Sequence, residues 1–201
     1  MARRKAEVRR EEILRATVDQ IRERGFASTR AADVAADLGV STALLFYHFG
    51  TLDGLLSEAF DYAAEHDLAQ LKAAAEADGS AAGRLRDVLL LYAPAGRAPG
   101  WTIWIDAWAA ALRVPELQKV SRRLDLQWRR TVAKVIDEGV KSGEFRCADA
   151  QGAAWRITAL IDGLAIQSTV HRRSISRQQL TSWVFTTAAR ELEVDPTLFP
   201  P

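Results

Sequence analysis

Five side chains in the second half of the chain have the types and spacing to hold a small molecule. Trp104 and Trp108 fall on one helical stripe with Trp101, at i, i+3 and i+7, together with Ile105 and Leu112, so in a helix all three indoles point one way. Trp128 joins Leu117, Leu124 and Val135 on the inner face of the next segment, Asp125 sits near the edge of that face, and Asp162 lies in an Ile-Asp-Gly run. Indoles beside a carboxylate attract a cation through the ring quadrupole. The same residues suit a flat apolar ligand with one polar anchor, and the stripe alone also reads as ordinary core, with Asp162 organising helix packing against Gly163.

A second set, at the other end of the chain, has the chemistry of a nucleic-acid surface. Residues 1–10 carry Arg3, Arg4, Lys5, Arg9 and Arg10 against Glu7 alone, a net +4 in a chain of 201 residues whose total is +1, which leaves the remainder at −3. It is this uneven distribution, not the net charge, that draws a chain to phosphate. Arg3, Arg4 and Lys5 on such an arm are placed to reach a minor groove or its flanking phosphates. Ser41, Thr42, Ala43 and Leu44 are outward positions at the start of a short helix. Hydroxyls there bond to several base edges, and Ala43 and Leu44 offer apolar contact to thymine methyls.

The elements that must position these groups are helices throughout. Apolar residues recur at helical spacing and no period-2 alternation appears, so the sequence predicts an all-α protein of about nine helices. The first runs from about Lys5 to Arg24, with Val8, Ile13, Leu14, Ala16, Val18 and Ile21 on its apolar side and Gly25 as C-cap. Short helices follow at about Arg30–Leu38 and Thr42–Phe49, separated by Gly39 and Val40, with Ser28 or Thr29 placed to cap the first. Val34, Ala35 and Leu38 pack the first, Leu45, Phe46 and Phe49 the second, and Ala31, Ala32, Ala35 and Ala36 let them approach closely. That is a helix-turn-helix whose second helix enters the major groove.

Longer helices are expected at Leu52–Ala77, Ala82–Ala93, Trp101–Arg113, Glu116–Ser142, Asp149–His171 and Ser176–Leu192. Pro94–Gly100 is the clearest loop, Pro115, Gly143 and Arg172–Ser174 are further punctuation, and Asp195–Pro201 is an irregular tail. The last two long helices carry apolar residues on two faces: Ala153, Ile157, Leu160, Ile161 and Leu164 against Trp155, Ala159, Ile166 and Val170, then Leu180, Trp183, Val184 and Ala188 against Phe185, Ala189 and Leu192. Both faces call for burial, which points to a homodimer through a four-helix interface, a large monomer core being the alternative. The expected division is a three-helix DNA-binding domain at 1–50 and a helical ligand-binding and dimerisation domain at 51–201.

From about Thr29 to Phe60 the chain resembles the TetR-family helix-turn-helix. The resemblance rests on Leu45-Phe-Tyr-His-Phe49, an aromatic run that a generic helix-turn-helix has no reason to end in, and on Leu52-Asp-Gly-Leu-Leu56, similar to the start of the family's fourth helix. It implies that Tyr47 and His48 contact backbone phosphates and that Thr29 or Arg30 contacts another, with Thr51 counted on the same face; phosphate contacts set register and affinity, not sequence choice. Core packing is the other reading of Tyr47 and His48. Family members commonly place lysines just after the aromatic run, where this chain has Gly50, Thr51 and Leu52, and losing such cations lowers affinity and its salt dependence. The basic arm is the candidate compensation.

The later half resembles, more weakly, the BetI-like branch, named for choline-responsive repressors, through Trp101–Trp108, Gly143-Glu-Phe145 and Leu160–Leu164. The resemblance implies a one-component regulator, a repressor that leaves its operator when a small effector binds. A movement of the segment between Leu52 and Ala77 would carry the signal, since affinity for DNA falls by linkage when the effector prefers a state that fits the operator badly.

Other classes find little support. No phosphate-binding Gly-Lys loop, Gly-x-Ser-x-Gly elbow or His-Glu-x-x-His pair is present, and His48, His66 and His171 are scattered, so neither catalysis, metal nor cofactor is expected. A helical interaction protein without DNA binding, or an all-helical enzyme using unclustered carboxylates, are the alternatives. Cys147 is the only cysteine, which rules out an internal disulfide. Apolar runs such as Val88–Ala93 are far shorter than the roughly 20 residues of a membrane helix. A cytoplasmic location is expected.

Overall fold

The computed structural model describes residues 2–92, 99–171 and 175–199, and the side chains of residues 2–6 and 99 are outside that description. Among the described residues there are nine α-helices and no strand: α1 (Ala2–Arg24), α2 (Ala31–Leu38), α3 (Thr42–Phe49), α4 (Leu52–Ala75), α5 (Ala81–Tyr92), α6 (Pro99–Ala111), α7 (Pro115–Ser142), α8 (Ala150–Val170) and α9 (Arg177–Glu191), with a 3₁₀ turn at Pro196–Leu198. The all-α expectation holds, and α3 has the expected bounds.

The differences at helix ends have physical reasons. Pro99 and Pro115, read from sequence as breaks, open α6 and α7, because a first-turn proline gives up an amide that has no helical partner anyway. Of the expected loop Pro94–Gly100, Pro99 and Gly100 therefore belong to α6, and residues 94–98, like Arg172–Ser174, are outside the described residues. Gly25 ends α1 as expected, at φ +81° with its amide on the Ile21 carbonyl at 2.8 Å. The cap of α2 is not a hydroxyl: Arg30 is its N-cap residue, with no side-chain cap bond.

The chain forms two compact units. One comprises Met1–His66 and Thr102–Leu124, the other Asp67–Trp101 and Asp125–Pro201. In the first, Ile13, Val34, Ala35, Leu45, Phe49 and Leu55 make one apolar cluster that fixes α1, α2, α3 and the start of α4, with Leu14, Ala16, Leu38, Val40 and Leu52 packed around it. Two residues expected to be inside are not: Phe46 and Val8 are about half exposed. A second aromatic core joins Phe26 to Phe60, edge to face at 6.0 Å, and Phe60 to Trp104 at 4.9 Å.

In the second unit, Leu85, Val88 and Leu89 of α5, Val132, Val135 and Ile136 of α7, Ile157 and Ile161 of α8 and Val184 and Ala188 of α9 are all buried. The expected two-faced pattern holds for α8 only. Its first face is buried or half-buried, whereas Trp155 and Val170 are exposed, Trp155 at 53%, on the stripe that also carries Ala159, Gly163 and Ile166. On α9 both expected faces are covered within the unit, and Trp183 alone of those residues points out.

Glu144 links the end of α7 to α5. Its carboxylate accepts from the amides of Ala81 and Ala82 at 3.0 and 3.1 Å, covering α5 donors that have no helical partner. Those bonds, the Ala81 amide first, hold the Glu144 carboxyl below the usual glutamate range. Glu144→Ala should therefore cost about 1 kcal/mol, the worth of an N-cap, read as a lower thermal midpoint. The contribution is present above the ordinary glutamate pKa and is lost as pH falls through the depressed one.

Candidate DNA interface and effector cluster

Helix α3 is capped by Ser41, whose hydroxyl oxygen accepts from the Leu44 amide at 3.4 Å. Gly39, at φ +63°, turns the chain between α2 and α3. Because Leu45 and Phe49 are buried in the cluster with α1 and α2, the opposite side of α3 faces out. Ser41, Thr42, Ala43 and Thr51 are exposed, Leu44 and His48 are half-buried, and Tyr47 is 83% exposed with its ring edge-on to His48 at 5.3 Å. An aromatic that is 83% exposed is not core packing, so Tyr47 is free to meet a partner. The Thr51 hydroxyl accepts from the Gly54 amide at 3.0 Å and so caps α4.

Thr29 is a correction. It is 2% exposed, and its hydroxyl donates to the Gly25 carbonyl at 2.8 Å, which ties the α1–α2 turn and leaves nothing for a phosphate. Arg30 beside it is exposed. The same turn is held from α6: the Asp106 carboxylate accepts from the Phe26 amide at 2.7 Å. Sequence reasoning missed Asp106, because the amide it binds is 80 positions away. Arg3, Arg4 and Lys5 lie in the first turns of α1 by their backbone, and their side chains are outside the described residues.

The five expected ligand residues are divided between the two units. Trp104 and Trp108 belong to the first unit, where Trp104 packs on Phe60 and the two indoles meet at 6.1 Å. The buried side of α6 is Ile103 and Ala107, not the tryptophan stripe, and Leu112 is 79% exposed. Asp125 is taken up by an ion pair with Arg129, one turn along α7.

Trp128 and Asp162 do share a cluster, in the second unit, around a residue the sequence did not mark. Tyr92, the last residue of α5, donates its hydroxyl to Asp162 Oδ1 at 2.7 Å. Its ring lies edge-on to Trp128 at 4.5 Å and to Trp101 at 5.5 Å, and the Trp101 indole N–H donates to the Tyr92 carbonyl at 3.2 Å. Burial, then the Asp162 charge, pushes the Tyr92 hydroxyl well above its ordinary pKa. Burial likewise raises Asp162, against the Tyr92 hydrogen bond and the nearby Arg129 charge. A side chain built at Gly163 would meet nothing within 4 Å in the single chain.

Arg129 stacks its guanidinium on Trp155, 3.4 Å from the ring centroid. Two buried donors beside these groups, Trp128 Nε1 and Arg129 Nε, have no hydrogen-bond partner among the described residues. Counting Asp125, Asp162 and Arg129, the cluster is one negative charge in excess.

Residues 13–59 match the model of bacterial regulatory proteins of the tetR family, and residues 81–193 match that of the BetI-type transcriptional repressor, C-terminal. The chain belongs to the TetR family. Among curated relatives, the HTH-type transcriptional regulator BetI of Burkholderia mallei is 30% identical over 171 residues, covering 82% of this chain and 83% of that protein. BetI of Stenotrophomonas maltophilia is 29% identical over 170 residues, covering 81% and 82%.

A TetR-family regulator from Rhodococcus superposes with a TM-score of 0.77 at 29% identity, over 92% of this chain and 98% of its own. A transcriptional regulator from Saccharomonospora viridis, crystallised in complex with choline, superposes with 0.74 at 29%, over 89% and 94%. The protein is thus a ligand-responsive DNA-binding transcriptional regulator.

Proposed function

We propose that this regulator is a repressor that binds its operator as a homodimer and leaves it when a small ammonium cation enters the Tyr92–Trp101–Trp128 cluster beside Asp162. The observation that carries this is the cluster itself: Tyr92 meets Trp101 and Trp128 edge to face and donates its hydroxyl to the half-buried Asp162 carboxylate, and among the described residues Asp125, Asp162 and Arg129 sum to one negative charge. Aromatic faces with a desolvated carboxylate suit an alkylated ammonium, which has strong charge and little hydration to lose. The unpartnered donors Trp128 Nε1 and Arg129 Nε suit an effector that also carries an oxygen acceptor, since an unmatched buried donor costs about 1–3 kcal/mol. Choline has both features, and the choline complex of the Saccharomonospora viridis regulator and the BetI relatives support it as the first effector to test.

With Tyr92 and Trp128 in edge contact at 4.5 Å, a cation must part the rings to lie among them. Binding is therefore linked to a change of conformation, as release from DNA requires. The functional division proposed is 1–50 for DNA and 51–201 for effector and self-association. Arg3, Arg4, Lys5, Arg30, Ser41, Thr42, Ala43, Leu44, Tyr47, His48 and Thr51 contact the operator, Trp128 and Asp162 the effector. The protein acts in the cytoplasm, where its operator is, and binding without turnover is its whole chemistry; among the described residues no helix is long and apolar enough to cross a membrane.

The dimer is proposed through the α8 stripe of Trp155, Ala159, Gly163, Ile166 and Val170, with Trp183 of α9 beside it. Ala159 is exposed in the single chain, so Ala159→Glu should leave the protomer folded while placing two like charges in the interface. The expected result is a monomer by sedimentation and a loss of operator affinity of at least 100-fold. A dimer of wild-type stability would move the interface elsewhere.

DNA binding is tested by fluorescence anisotropy with the duplex upstream of the protein's own gene and a scrambled duplex, across a salt series. Tight, salt-dependent binding of the first alone is expected. Equal or absent binding to both would remove autoregulation and leave an operator elsewhere to be found.

A further inference from the structure

The C-terminal turn of α3 is held in place by a residue outside the DNA-contact set. Arg10, on α1, donates from Nη1 to the His48 carbonyl at 2.6 Å and from Nη2 to the Glu58 carboxylate of α4, and its guanidinium lies over the Phe49 ring, 4.3 Å from the centroid. The last carbonyls of a helix have no partner of their own. At the end of α3 the Gly50 amide takes the Phe46 carbonyl and the Thr51 amide takes that of Phe49, each at 2.8 Å, and Arg10 takes His48. One planar cation thereby ties three helices at the turn from which Tyr47 and His48 project.

We propose that Arg10 is a positioning residue for operator recognition: it sets the angle of α3 and the place of Tyr47 and His48 without touching DNA itself. Both terminal nitrogens are committed within the protein, and Glu58 offsets the charge that a phosphate would seek. The place is telling. Gly50, Thr51 and Leu52 carry no cation, and Arg10 brings one to the same end of α3 from another helix, to fix geometry and not to neutralise the backbone. Lysine cannot replace it, since a point charge on a flexible stem makes neither the paired bonds nor the stack.

This inference rests on the DNA-binding function, so its test uses a duplex that the wild-type protein has itself selected from a random pool; failure to select any duplex would count against that function and not against Arg10. The full-length wild type and the Arg10→Ala, Arg10→Lys and Glu58→Gln variants are titrated into the selected duplex and a scrambled one across a salt series.

Arg10→Ala should lose at least 10-fold in affinity for the selected duplex and little for the scrambled one, with the slope of log K against log salt unchanged. Arg10→Lys should stay several-fold weak, and Glu58→Gln should fall between it and wild type, also with an unchanged slope. A slope smaller by about one, with equal loss on both duplexes, is the signature of a lost phosphate contact and would overturn the proposal. So would wild-type affinity in both Arg10→Lys and Glu58→Gln, the two variants that decide the matter if thermal melts show Arg10→Ala to be unfolded.

Discussion

Exchanging Asp162 for asparagine is expected to weaken the hold on a cationic effector by about 10- to 100-fold while leaving effector-free DNA affinity within a few-fold of wild type. The substitution keeps the shape of the side chain and an oxygen to accept from the Tyr92 hydroxyl at 2.7 Å, so the cluster stays packed. What goes is the negative charge. An interaction with a charged partner in a partly buried setting contributes about 1.5–3 kcal/mol, and 1.4 kcal/mol is tenfold in affinity. Isothermal calorimetry with choline measures it directly, and an unchanged affinity would place the effector away from Asp162.

The same carboxylate fixes a pH dependence. Burial first of all raises the Asp162 pKa, so proton and effector compete for it in a range above that of an ordinary aspartate. Effector affinity should fall as pH drops through that raised pKa, and the Asp162→Asn variant should lack this fall. Without effector the sign for stability is opposite: a raised folded-state pKa contributes stability that is complete below the ordinary aspartate pKa and is lost as pH rises to the raised value.

Phe60→Ala should be the most damaging substitution to the fold. Phe60 is fully buried and touches Phe26 on one side and Trp104 on the other, so truncation removes both ring contacts and leaves a cavity. Buried Phe→Ala changes cost about 3–5 kcal/mol, which in a protein of this size lowers the thermal midpoint by about 6–20 °C. Phe60→Leu should cost much less. A loss under about 1 kcal/mol for Phe60→Ala would show that Phe60 and Trp104 are not a core pair.

The helix-turn-helix was legible because its information is local. The glycines at 25 and 39, the apolar spacing of Val34, Ala35, Leu45 and Phe49, and the aromatic run each act within a few residues, and the structure places them as read except for Phe46, which turns out to be half exposed. Thr29 misled because a hydroxyl just before a helix reads as a cap, whereas Gly25, four residues back, offered its carbonyl first. The effector cluster was half legible. Tyr92 ends an apolar run indistinguishable from core, and its partner Asp162 is 70 positions away, so no spacing rule could join them.

Periodicity also placed Trp101, Trp104 and Trp108 on one stripe, but it could not show that Trp101 packs with Tyr92 while Trp104 packs with Phe60. In α9, apolar residues on two sides reflected neighbours on two sides: α9 packs against α8, α5 and the 3₁₀ turn of its own chain. In α8 the second face leaves Trp155, Ala159 and Val170 exposed among the described residues, with Arg129 alone stacked on Trp155, which is why the dimer proposal now rests on that helix.

The most direct test of the whole account is to titrate choline into a preformed complex of the protein with its selected duplex and follow fluorescence anisotropy, with 3,3-dimethyl-1-butanol, the uncharged isostere, as the comparison. Saturable release by choline, little by the neutral isostere, and release shifted to higher concentration in Asp162→Asn is the predicted result. Retention of DNA at saturating choline, or equal release by the isostere, would contradict a cation-sensing repressor built on this cluster.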